Sequence, residues 1–121
     1  MIQHLLIGKK DGDLAYWTEN LPKGTISHYI RLVVKADIKK SFILLPVPQE
    51  QGIINKQFDL QIRITERHIE EHITSIPKNA RNAYIRRILR KQLDWNYRQK
   101  KNLSKPDATV LQKVSTVDGS K

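Results

Sequence analysis

The stretch HIEEH, His68 to His72, sets two histidines four residues apart with a glutamate beside the second. On a helix such residues share a side, so both imidazoles can reach one ion. A glutamate in that place can activate a metal-bound water, and H-x-x-E-H is the residue order of one class of zinc-dependent peptidase. A catalytic zinc also requires a third protein ligand and a cleft for substrate. Outside this stretch the chain has only His4 and His28, and no distant glutamate stands out. With no cysteine, thiolate sites and disulfides are excluded. No catalytic role, metal or other cofactor is expected, and HIEEH is read as part of a charged helix.

The elements around that helix come from a repeat. LPKGTISHYIRLVVKADI (Leu21–Ile38) aligns without a gap on IPKNARNAYIRRILRKQL (Ile76–Leu93), fifty-five residues later. Pro22/Pro77, Lys23/Lys78, Tyr29/Tyr84, Ile30/Ile85 and Arg31/Arg86 are identical pairs. The apolar positions also coincide: Tyr29, Ile30, Val33, Val34 and Ile38 match Tyr84, Ile85, Ile88, Leu89 and Leu93, a broad stripe on one helical face. Gly24 and Asn79 share a place that suits a left-handed turn, and Ser27 and Asn82 follow as expected N-caps.

A second stripe precedes each of these helices, Leu14, Trp17, Thr18 and Leu21 against Ile69, His72, Ile73 and Ile76. Thr65 is the expected cap of the later helix and Asp11 or Asp13 of the earlier one. Prolines 22 and 77 close them, because the residue before proline avoids the helical region. In FDLQIRIT, Leu60, Ile62 and Ile64 alternate with Asp59, Gln61 and Arg63, as in a half-buried strand. Its counterpart IQHLLIG is apolar but alternates poorly. Each copy reads strand–helix–turn–helix.

Boundaries follow: a first repeat over 1–40, a connector over 41–57, a second repeat over 58–97 and a polar tail over 98–121. The connector carries FILLPVP and is expected to lie across a core or add a short strand. After Trp95 the pattern fades, which predicts a fraying helix end. No apolar run approaches a membrane span, and the start of the chain lacks the pattern of a signal peptide. A cytoplasmic location is expected, with no membrane partner. The 22 Lys and Arg against 12 Asp and Glu give a net charge of +10, which favours a polyanionic partner.

A short strand followed by two helices cannot bury its own apolar faces; a second copy completes it by strand pairing. The unit resembles the ribbon-helix-helix family of DNA-binding proteins, of the Arc/MetJ type. LQIRITERHIEEHI, PKNARNAYIRRIL and PKGTISHYIRLVV carry the likeness. Tandem copies on one chain are similar to certain archaeal-virus transcription regulators and to relaxosome accessory proteins of conjugative plasmids. The resemblance implies a mainly α fold with a short two-stranded antiparallel ribbon, made of two repeats in one chain. Repeat one pairing with repeat two as an intramolecular pseudo-dimer is the favoured assembly, with a homodimer as the other route.

It further implies sequence-specific binding of double-stranded DNA, the ribbon entering the major groove and helix N-termini holding phosphates. Gln61, Arg63, Asp59 and His4 become the base readers, with the second repeat supplying most of the specificity. Lys23, Ser27, His28, Lys78, Arg81, Asn82 and Ala83 become the phosphate contacts, while Arg86, Arg87, Arg90 and Lys91 lie further down the second helix, several of them read as solvated helix face. A plasmid relaxosome or partition role is an alternative. So is an antitoxin whose tail holds a protein toxin.

Overall fold

The computed structural model describes residues 1–104, with side chains described to residue 102. Among them a two-stranded antiparallel sheet is covered by four α-helices: β1 (Ile2–Ile7), α1 (Gly12–Glu19), α2 (Ile26–Ile38), β2 (Phe58–Arg63), α3 (Arg67–Thr74) and α4 (Arg81–Ser104). The order strand–helix–helix occurs twice. From residue 105 on, the expected tail lies outside the described residues.

The register runs from Ile2 opposite Arg63 to Ile7 opposite Phe58, with Leu5 facing Leu60 at its centre. Period-two alternation sends Leu5, Ile7 and Ile62 into the core, together with a nearly buried Gln3. The helices then cross over. α2 packs on β2 and α3, α4 packs on β1, and α2 and α4 pack on each other. Trp17, Ile30, Val33, Val34, Ile69, Ile73, Ile85, Ile88 and Leu89 fill the space between these layers. The weak alternation of IQHLLI has a physical cause, since Ile2 and Leu6 point outward at 47% and 43% exposure.

Several local expectations are corrected. α2 begins after Thr25 and α3 after Glu66, so neither Ser27 nor Thr65 is an N-cap. Asp11 does precede α1, where its carboxylate accepts from the Gly8 N–H at 3.1 Å. Gly24 takes the left-handed conformation at φ 87°, whereas Asn79 lies in a short 3-10 turn, Lys78–Ala80, leading into α4. Asn82 is thus inside a helical run. The turn after Pro77 needs no left-handed residue because a 3-10 turn feeds directly into the next helix.

The connector forms no strand. It runs extended beside α4 and is tied there by two buried amides one helical turn apart. Gln92 accepts from Ile43 N–H at 3.0 Å and donates to Ser41 O at 2.9 Å. Asn96 accepts from Leu45 N–H at 2.8 Å and donates to Ile43 O at 2.9 Å. The two side chains pair with the connector backbone much as a neighbouring strand would. Leu45 is buried in the core, the Trp17 indole donates to Pro46 O at 2.8 Å, and Phe42 stacks on Trp95 with ring centroids 5.3 Å apart. α4 therefore continues well past Trp95 rather than fading there, because the connector gives its later turns something to pack against. No helix of the described residues is long and apolar enough to cross a membrane.

Candidate nucleic-acid interface

The outer face of the sheet holds three cross-strand pairs: Ile2 with Arg63, His4 with Gln61, and Leu6 with Asp59. All six side chains are exposed. The four residues expected to read bases, Asp59, Gln61, Arg63 and His4, are brought together on one surface. Ile2 and Leu6 complete it. Ile2 stands at period two from His4 and Leu6, which places it on the same face.

Both free edges of the ribbon are covered by the helices that cross over. Asn82 of α4 accepts from the Leu6 N–H at 2.6 Å, and Arg86 donates to Leu6 O at 2.8 Å. On the other edge, Ser27 of α2 donates to Gln61 O at 3.0 Å, and Arg31 donates to Arg63 O at 3.0 Å. Ser27 and Asn82 stand fifty-five residues apart in the sequence, and so do Arg31 and Arg86. Unpaired edge groups invite further strands, and here polar side chains occupy some of them. The same bonds fix the first turns of α2 and α4 at the two margins of the outward face.

Around those turns Lys23, His28, Lys78 and Ala83 are exposed, with Ser27 and Asn82 half-buried against the strands. Arg81 is turned elsewhere: its guanidinium donates to Ile76 O at 2.9 Å and Thr74 O at 3.4 Å, closing the end of α3. Further along α4, Arg86 and Arg90 are half-buried and paired within the protein, while Arg87 and Lys91 stay on the exposed face beside aromatic rings. Arg90 reaches Asp11 at 2.7 Å and Asp13 at 2.9 Å, and Arg86 lies 3.7 Å from Asp11. Arg87 stands over the Tyr84 ring at 5.5 Å, and Lys91 over the Phe42 ring at 5.6 Å. Partial burial raises the Asp13 carboxyl, but the Arg90 hydrogen bond and charge, with the Leu14 N–H, outweigh it and hold the group below its ordinary value. The same pair of carboxylates keeps Arg90 firmly protonated.

His68 and His72 do not share a site. His68 is exposed, 3.8 Å from Glu66. His72 Nε2 lies 2.8 Å from Tyr84 Oη, and the Tyr84 hydroxyl donates to Asp37 at 2.5 Å. A hydroxyl has one proton, so with Asp37 accepting it, His72 Nε2 must donate its own. That nitrogen then has no lone pair for a metal. Burial, and then the Asp37 hydrogen bond and charge, push the Tyr84 hydroxyl up out of the ordinary phenol range. Among the described residues no group of three or more His, Cys, Asp and Glu is placed to hold a metal ion.

No protein-family model, no curated protein and no solved structure matches the chain.

Proposed function

We propose that the chain is a sequence-specific double-stranded DNA-binding protein of tandem ribbon-helix-helix organisation, acting as a transcription regulator. The observation that carries this reading is the strand register. Leu5 and Leu60, equivalent at the fifty-five-residue spacing, face each other at its centre, as a symmetric ribbon requires. The crossed contacts of α2 with β2 and α4 with β1 agree with a pseudo-dimer closed within one chain.

On this reading the ribbon enters the major groove, about 12 Å wide, with its outward face against base edges. Arg63 offers guanine two donors, Gln61 pairs with adenine, Asp59 accepts from a cytosine amino group, and His4 supplies a further polar contact. The first turns of α2 and α4 bring free backbone N–H groups to the phosphates on either side, with Lys23, His28 and Lys78 adding charge. Ser27 and Asn82 act there as anchors of the helices to the ribbon, with their own and neighbouring amides, including that of Ala83, left for phosphate. Arg81 contributes charge while bonded to α3. The reaction is binding alone, without a cofactor.

Gel-shift titration on duplex DNA across a range of salt tests the proposal. Each phosphate neutralised contributes about −0.9 to the slope of log K against log salt. A steep negative slope is expected, together with a gain in affinity on sites selected from a random library. Binding that ignores salt, or no binding at low salt, would remove the reading.

A further inference from the structure

We propose that the site recognised by this ribbon has a direction, with thymine methyl groups facing β1 and hydrogen-bonding base edges facing β2. The inference rests on the DNA-binding reading above and goes beyond it in naming the kind of site.

A ribbon of two identical strands presents each base-facing residue twice, about a two-fold axis, and so reads a palindrome. Here the axis of the strand pairing passes between Leu5 and Leu60. The positions it relates carry different chemistry: His4 answers Asp59, and Leu6 answers Gln61. No palindrome matches such a face. Its two rows are also unlike in kind. Along β2 the outward residues are polar or charged, whereas β1 puts Ile2 and Leu6 outward at 47% and 43% exposure.

Single exposed leucines are ordinary on protein surfaces. Two large apolar side chains on one short strand, aligned on the face where the opposite row is polar, form a contact surface. Major-groove edges offer one apolar group, the thymine methyl, and a row of apolar side chains selects for it. Four residues of strand span about 13 Å, which is about four base-pair steps at ~3.4 Å each.

Selection from a random duplex library, followed by gel shifts on the winning site, tests this. The expected consensus lacks two-fold symmetry. Replacing thymine by deoxyuridine, which removes only the methyl group, weakens binding about fourfold for each methyl that meets Leu6 or Ile2. Leu6→Ala binds the two DNAs almost equally at the Leu6 contact, and Ile2→Ala does so at its own. Leu6→Gln makes the related positions alike and shifts the selected site toward symmetry. Leu6 and Ile2 point away from the core, and circular dichroism verifies that each variant folds. A palindromic consensus for the unaltered chain, indifference to deoxyuridine, or undiminished sensitivity in Leu6→Ala and Ile2→Ala would overturn direction while leaving DNA binding intact. Failure to bind any duplex would remove the underlying reading first, so the two failures are told apart.

Discussion

Arg63 and Lys78 are both exposed cations, and the proposed DNA binding assigns them different roles. Arg63 stands in the outward row of β2, and Lys78 sits in the turn before α4. Arg63→Ala should flatten preference at one base pair at a cost of about 1–3 kcal/mol on the selected site and little on random DNA. Lys78→Ala should weaken all duplexes alike and lower the salt slope by about 1. Equal losses from Arg63→Ala on both DNAs would contradict its assignment. Asp13 allows a prediction about pH. Its folded-state pKa is depressed below the ordinary carboxylate value, so its contribution is present above about pH 4 and disappears as the pH falls through the folded value. Urea unfolding of the unaltered chain and Asp13→Asn should therefore differ near neutrality and converge in acid. A gap that persists at the lowest pH would show that the carboxylate charge is not what Arg90 uses.

The elements were legible in the sequence to the extent that their causes are local. β2 alternates because one face is buried, and the stripes of α2 and α4 repeat because both pack against the same sheet. Ser27 and Asn82 misled because their side chains serve a strand far away in sequence instead of their own helix. Gln92 and Asn96 look like surface residues by type, but they continue the stripe of Ile85, Ile88 and Leu89 in phase. Polar residues at apolar positions were the available signal for a bound backbone segment. Removing Asn96 leaves the buried Leu45 N–H unpaired, so Asn96→Leu should cost about 1–3 kcal/mol in urea unfolding. Proteolysis under folding conditions should then cut within 41–48 before the rest, and continued protection there would show that the amide is not the tie. Gly12 faces the other end of the connector. A Cβ there would lie 2.5 Å from Ile53 Cγ2 and 2.8 Å from Ile54 O, while Ile54 N–H already bonds Gly12 O at 3.2 Å. Gly12→Ala should destabilise by about 1–3 kcal/mol, and adding Ile53→Ala should restore only part of it because the Ile54 carbonyl stays.

For the molecule as a whole, both strands of the sheet belong to one chain, so unfolding should be unimolecular. The melting temperature should not move over a hundredfold dilution, whereas strands exchanged between two chains would make it fall. The cations behind the net charge of +10 are not equally free: Arg90 is paired with Asp11 and Asp13, whereas Lys23 is exposed. That distribution could not be read from composition, which counts Arg90 and Lys23 alike. The register has one more consequence, in the order of synthesis. Ile2 and Arg63 are partners, yet 61 positions separate them. At roughly 5–20 residues per second a ribosome needs about 3–12 s to make that interval. Throughout it the first strand, with Leu5 and Ile7 destined for the core, has no partner to cover it. The sheet, and the core layer it closes, can therefore form only after the second strand has been made.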